Sequence, residues 1–243
     1  MEIDKDLEYA IQWEHSSKHF YINQFYDKLA EKLSGIKIVL EIGCGAGYST
    51  LSLLKRGHKV IAIDKNEECI KRAQQLIEKN GFNVGDLSKS DVLFIKVDMI
   101  SEEFYRNILP ALSFNVIICW NIGSSWKKDD LQYYVPHMLD YGLNISQIRQ
   151  NPESSYAELV VWHICQIAKM KEVPLQIVER GSEIIDIDNE YYQLLKQEFD
   201  FKYAEFSHIK ATTLSVGGRI LIAKGKVLND KEIEIYLSSI IMK

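Results

Sequence analysis

The residues of this chain whose types and spacing could do chemistry are the acids and glycines between positions 41 and 98. Glu41-x-Gly43-x-Gly45-x-Gly47 follows the apolar run Ile38-Val39-Leu40. Asp64 stands 21 residues after Gly43, at the end of a second apolar run, Val60 to Ile63. Asp98 ends a third, Val92 to Val97. Glycines let a chain turn tightly and let a ligand approach bare backbone. Carboxylates at strand ends accept from hydroxyl and amino groups and favour a cation nearby. A dinucleotide fingerprint, G-x-G-x-x-G, would need a glycine where Tyr48 stands and an apolar residue where Glu41 stands. The pattern therefore suits a nucleoside-type ligand and departs from a dinucleotide cradle.

The surrounding elements must position these groups. Residues 38–64 read as strand, glycine turn, helix and strand. Leu51, Leu53 and Leu54 lie in a helix that stops at Gly57. Such a βαβ half places its ligand at the carboxyl ends of the strands. Asn66 is expected to cap the next helix, with Ile70, Ala73 and Ile77 as its buried stripe. Phe114 to Cys119 is a fourth strand. It runs out into Cys119-Trp120-Asn121-Ile122-Gly123-Ser124-Ser125-Trp126, where two tryptophans and an asparagine suit an aromatic-walled pocket, and packing of Trp120 or Trp126 against a neighbouring helix is the equal alternative. Lys127 to Leu139 reads as the helix after strand four, and Glu153 to Lys171 as an inserted, largely apolar helix over an acceptor pocket. Pro174 to Glu179 is a fifth strand and Asn189 to Phe199 a helix. Phe201 to Ile209 and Arg219 to Val227 are expected to close the sheet around the turn Val216-Gly217-Gly218. Asn229 would then cap a final helix with Ile233, Tyr236, Leu237, Ile240 and Ile241 on one apolar face, a surface for domain packing or a dimer contact. Upstream, residues 4–13 form a short helix, and Ser16 and Ser17 offer caps for a second that ends at Gly35. The expected fold is α/β: a three-layer α/β/α sandwich on a seven-stranded, mostly parallel sheet with a C-terminal antiparallel hairpin. It forms one domain over 1–243, with an N-terminal helical cover (1–35), a helical insertion (140–172) and a C-terminal helix (229–243).

Glu41 through Gly47, with acids on successive strand ends, resembles the first motif of the class I S-adenosylmethionine-dependent methyltransferases. The element order resembles that family over nearly the whole chain. The resemblance implies S-adenosyl-L-methionine as cofactor, a phosphate-free ligand carrying a sulfonium cation. It implies a cofactor site of Glu41, Gly43, Cys44, Gly45, Gly47, Asp64, Lys65, Asp98, Met99, Cys119, Trp120 and Asn121. Asp64 would accept from both ribose hydroxyls and Asp98 from the adenine amino group, with a helix cap for residues 101–109 as the other role open to Asp98. The backbone at 119–120 would border the amine and sulfonium. The N-terminal segment would lie over the cofactor, with Trp13, His15, His19, Phe20 and Tyr21 as candidates for that cover or for helix packing. The implied activity is methyl transfer to a nitrogen or oxygen nucleophile by in-line displacement. Aminocarboxypropyl transfer from the same cofactor and a non-catalytic binding module are the alternatives. A nicotinamide oxidoreductase is opposed by Tyr48, which stands where the dinucleotide fingerprint needs its third glycine.

A hydroxyl acceptor usually needs a base of tuned pKa, and an amine needs little help. His15, His137, His163 and His208 are the base candidates. His137 and His163 stand on the presumed acceptor side, and Glu179 at the end of strand five is a further group that could face the cleft. No zinc set or nucleophile elbow is visible. Nor is the Asp/Asn-Pro-Pro-Tyr/Phe sequence of DNA and protein amide methyltransferases. With a net charge of −5, this favours a small-molecule acceptor over a nucleic acid. Cys44, Cys69, Cys119 and Cys165 are widely spaced and read as reduced thiols of a cytoplasmic protein. The acidic start MEIDKDLEYA is unlike a signal peptide, and no apolar run is long enough for a membrane span.

Overall fold

The computed structural model describes residues 5–122, 130–214, 222–223, 226–227 and 232–243. Strands β1 (Ile38–Ile42), β2 (Lys59–Asp64), β3 (Val92–Lys96), β4 (Val116–Trp120), β5 (Leu175–Gly181), β6 (Ala204–Leu214) and β9 (Glu232–Met242) form a seven-stranded sheet in the order β3-β2-β1-β4-β5-β9-β6. The first five pair in parallel, and β9 runs antiparallel between β5 and β6. Two-residue strands β7 (Ile222–Ala223) and β8 (Lys226–Val227) make a separate ribbon.

The period of two along each strand sorts its side chains between two cores. Leu40, Ile42, Ile61, Ile63, Ile117 and Cys119 join one cluster. Val39, Val60, Ala62, Val116, Ile118 and Trp120 join the other. Helices α1 (Lys5–Ile22), α2 (Phe25–Ala30), α3 (Tyr48–Lys55) and α4 (Glu67–Lys79) cover the second face, which holds Phe20, Phe25, Leu29, Leu51 and Ile77. Helices α5 (Asp130–Tyr141), α6 (Ile145–Gln150), α7 (Pro152–Lys171) and α8 (Glu190–Glu198) belong to the first, with Met138, Ile148, Leu159, Ile164 and Leu195. The side-chain oxygen of Asn66 accepts from the backbone of Glu68 and Cys69, so the expected cap on α4 is present.

Four expectations change. The C-terminal helix over 229–243 is instead strand β9. Glu232-Ile233-Glu234-Ile235 alternates with period two, and its β-branched residues suit a pleated sheet, a pattern that the helical spacing of Ile233, Tyr236, Leu237 and Ile240 obscures. Its apolar face is therefore buried within the sheet. The strand that pairs with β6 is β9 and not Arg219 to Val227; the turn Val216-Gly217-Gly218 lies outside the described residues. The break between the two N-terminal helices falls at 23–24 and not before Ser16: α1 runs on to Ile22, with Ser17 Oγ donating back to the Trp13 carbonyl (2.7 Å), and α2 begins at Phe25. Finally, α7 is no lid: it packs on β4 and β5 as the crossover helix between them, while α5 and α6 pack against it.

Candidate functional site

The carboxyl ends of β1, β2 and β3 meet at one small cavity. Ile42 and Gly43 reach it from β1, Ile63, Asp64 and Lys65 from β2, and Val97, Asp98 and Met99 from the end of β3. Ile122 borders it after β4, and Tyr156 and Val160 of α7 form a wall. Tyr9 and Trp13 of α1 close the top, their rings stacked 6.4 Å apart.

Asp64 is already at work in the turn. Its Oδ2 accepts from the Gly45 backbone N–H (2.9 Å) and its Oδ1 from Asn66 (2.8 Å), so it ties the glycine turn to the start of α4. Burial pushes its pKa up, and these two N–H groups pull it back. Each oxygen keeps a second lone pair, enough to accept from a ribose hydroxyl. Asp98 accepts from the Ile100 N–H (3.1 Å) and from the Tyr134 hydroxyl. That hydroxyl also receives Lys65 Nζ at 3.2 Å. The ammonium lies 4.3 Å from the Tyr156 ring centroid and 4.8 Å from that of Tyr134. Burial lowers the Lys65 pKa, against the pull of Asp98, Asp130 and Asp64.

The rest of the expected cofactor set divides. Glu41 does not line the cavity. It is 2% exposed beneath the turn and accepts from the Ser49 and Thr50 hydroxyls at the start of α3. Burial raises its pKa to about 7. Cys44 and Gly45 sit in the turn behind Gly43. Gly47 serves packing: at φ 83°, a Cβ there would lie 2.8 Å from Ala73 Cβ on α4. Cys119 points into one core and Trp120 into the other, where it stacks on Tyr26 (6.1 Å, 11°) and donates to Gln176 (3.2 Å). Both follow the β4 alternation, and neither lines the cavity. Asn121 is buried at φ 54°, and its amide N and O have no partner among the described residues.

The candidate bases lie elsewhere. His163 Nδ1 shares a 2.6 Å hydrogen bond with the Tyr105 hydroxyl, and burial lowers its pKa to about 4. Neither His163 nor His137, whose ring meets Tyr133, lines the cavity. Glu179 is held by the Tyr192 hydroxyl at 2.9 Å. Of the proposed cover, only Trp13 reaches the site. His19 bonds Thr212 Oγ1 (2.9 Å), Phe20 is core, Tyr21 meets Tyr48, and His15 is not at the lining. Trp126 lies outside the described residues. Tyr9 and Tyr156 were not singled out from the sequence. Tyr9 is one helical turn before Trp13, and that i, i+4 spacing was the available signal.

Residues 39–140 match the family model described as a methyltransferase domain. Over this segment, less than half of the chain, the protein is similar to methyltransferase domains. The chain is 39% identical over 75 residues to protein arginine N-methyltransferase 1 of Saccharomyces cerevisiae, covering 28% of this chain and 21% of that protein. It is 32% identical over 87 residues to a protein-L-isoaspartate O-methyltransferase of Christiangramia forsetii, covering 36% and 40%. The chain thus spans well under half the length of either relative. The solved structure of EvdMO1 shares the fold at a TM-score of 0.50 with 15% identity, over 90% of this chain and 40% of that one.

The donor set of the site fits the cofactor of methyltransferase domains in chemistry. It offers carboxylates, aromatic faces and a glycine turn to a cationic, phosphate-free nucleoside. Space is set by α1. The cavity holds about 40 Å³, against roughly 300 Å³ or more for a typical small-molecule site. The indole of Trp13 takes up part of that space, lying so close to the turn that a Cβ at Gly45 would fall 2.3 Å from it.

Proposed function

We propose that this chain transfers a methyl group from S-adenosyl-L-methionine to a nitrogen or oxygen nucleophile of a small-molecule acceptor, by in-line displacement. The observation that carries this reading is the convergence of Gly43, Asp64 and Asp98 on one cavity at the strand ends. Two carboxylates and three aromatic side chains suit a cation without phosphate. Enclosure between α1 and α7, with Tyr9, Trp13 and Tyr156 as walls, supports a small acceptor over an extended one.

The cofactor supplies a methyl group already activated on sulfur. The chain's work is to bind, orient and exclude water. Asp64 would hold the ribose hydroxyls and, through Gly45, fix the turn beside them. Asp98, braced by Tyr134, would take the adenine amino group. Trp13 and Tyr9 would cover the ligand from solvent. With His137 and His163 off the lining, and His163 neutral at pH 7, the arrangement supports an acceptor that needs no histidine base, as an amine does not.

Calorimetric titration with S-adenosylmethionine, S-adenosylhomocysteine and NAD tests the cofactor. Micromolar binding of the adenosyl ligands and none of NAD is expected. Tight NAD binding alone would sink the reading. Transfer of labelled methyl from the cofactor into a fractionated metabolite extract then tests the acceptor class. Label found only in protein would overturn the small-molecule assignment.

A further inference from the structure

Arg180 is the penultimate residue of β5, at the same end of the sheet as the cavity. Its guanidinium carbon lies 5.2 Å from the centroid of the Trp13 ring. That is the indole that presses on Gly45 and closes the cavity. Arg180 is partly buried, and its side chain makes no hydrogen bond or ion pair among the described residues. Its sequence neighbour Glu179 points to the opposite face of the strand, where the Tyr192 hydroxyl holds it at 2.9 Å. The buried acids nearest the site are also engaged: Glu41 by Ser49 and Thr50, Asp64 by Gly45 and Asn66.

A guanidinium presents five N–H donors in a planar fork. Cation–π contact with one ring satisfies none of these donors, so the fork remains free to bind an anion. Burial lowers its pKa, with Tyr26, Tyr9 and Glu179 only partly opposing this. A buried side-chain amide with no partner among the described residues stands on the adjacent strand end. Asn121 follows β4, its backbone N–H donates to the Val178 carbonyl of β5 (2.8 Å), and its own side-chain amide is buried without a partner. A fork of donors beside an unpaired amide matches a carboxylate with a neighbouring polar group.

We propose that Arg180 is the anion-binding residue of this site, holding a carboxylate beside Trp13. The carboxylate comes either from the amino-acid end of the cofactor or from the methyl acceptor, and this rests on the methyltransferase reading above. In the first case Arg180 fixes the cofactor. In the second it selects an anionic acceptor.

The test uses the full chain as wild type, Arg180→Gln and Arg180→Lys, with Lys keeping the charge should Gln impair folding. Each is titrated with S-adenosylhomocysteine and with 5′-methylthioadenosine, which shares the nucleoside and thioether but has no carboxylate. Acetate is then added to the S-adenosylhomocysteine-saturated chain and followed by tryptophan fluorescence. For the cofactor source, Arg180→Gln weakens S-adenosylhomocysteine by about 10–100-fold, the scale of a charged hydrogen bond. Lys restores part of it and 5′-methylthioadenosine is unaffected. For the acceptor source, S-adenosylhomocysteine binds all three proteins alike, and a saturable acetate response in wild type is lost in Arg180→Gln. Equal loss of both nucleosides in Arg180→Gln overturns the proposal. So does S-adenosylhomocysteine affinity within about twofold in all three with no acetate response in wild type. Failure of wild type to bind either nucleoside refutes the methyltransferase reading instead. Acetate on the free chain then still decides Arg180: a response lost in Arg180→Gln supports it, and none overturns it.

Discussion

Glu41→Gln should make this protein more stable at neutral and alkaline pH and leave it unchanged in acid. Glu41 is 2% exposed, and its carboxyl is pushed from the ordinary 4.5 to about 7 mainly by burial, with Asp64 adding to it and the Ser49 and Thr50 hydroxyls opposing it. A proton is thus held more tightly in the folded state than in the unfolded. Below pH 4.5 both states carry it, and Glu41 behaves as a neutral, hydrogen-bonded group. As pH rises towards 7 the unfolded chain sheds the proton first, and stability falls; above the folded pKa the loss is constant. At about 1.4 kcal/mol per pKa unit, the full loss is roughly 3 kcal/mol. Glutamine keeps the shape and cannot ionise, and both hydroxyls can rotate to meet its amide. In a chain of this length that is a rise in Tm of about 6–12 °C. Thermal melts of both proteins at pH 4, 5, 6, 7 and 8 measure it. The curves should coincide at pH 4 and separate through pH 5–7. Parallel curves, or a Gln variant that is less stable at pH 8, would show that Glu41 is ionised at little cost in the fold.

Asp64→Ala should weaken S-adenosylhomocysteine binding by on the order of 1–3 kcal/mol; unchanged affinity by calorimetry would mean that Asp64 serves the turn alone. Gly47→Ala should destabilise the fold by about 1–3 kcal/mol in denaturant melts, because the new Cβ would meet Ala73 Cβ at 2.8 Å at a backbone φ of 83°; a neutral result would show that α3 and α4 separate freely. Lys210 and Tyr236 are directly opposed in the β6–β9 ladder. Cysteines at both positions should therefore cross-link readily under mild oxidation, since opposed antiparallel Cα atoms lie about 4.5–5.5 Å apart, within disulfide reach. The native cysteines are all buried and should not compete. A double variant that stays reduced would refute the register of β9.

Legibility in the sequence followed how local each determinant was. The glycine turn with Asp64 was readable because strand, turn and acid lie within one βαβ unit, and each residue type has one strong reason to be there. Asp98 was readable by the same argument repeated one strand further. The sequence leaves Trp120 between pocket wall and helix packing, because composition near a strand end cannot tell which face a side chain takes. The alternation from Val116 through Ile118 carries Trp120 to the α2 side, onto Tyr26, and that register comes from pairing with β1 and β5. The β9 segment misled for a related reason. Its residues satisfy a helical stripe and a strand alternation together, and only the partners β5 and β6, distant in sequence, decide between them.

The acceptor side was least readable because its walls come from segments whose only local signal is the helical spacing of Tyr9 and Trp13. Tyr9 and Trp13 belong to a helix whose other contacts are structural. Asn66 Nδ2 donates to the Asp6 carbonyl at 3.0 Å, Arg72 pairs with Glu14, and His19 bonds Thr212. These ties fix α1 near both ends and in the middle, against α4 and β6. A ligand larger than the present 40 Å³ cavity must therefore turn the two aromatic side chains outward or shift the helix as a body against those ties. Side-chain rotation breaks none of the three. A helix shift breaks at least one, the Arg72–Glu14 pair being the most exposed. Hydrogen exchange of residues 5–22 with and without S-adenosylhomocysteine separates the two. Unchanged protection of the α1 backbone on saturation is expected for rotation of Trp13 and Tyr9. Protection that changes along the whole helix would instead make α1 a moving element of the site.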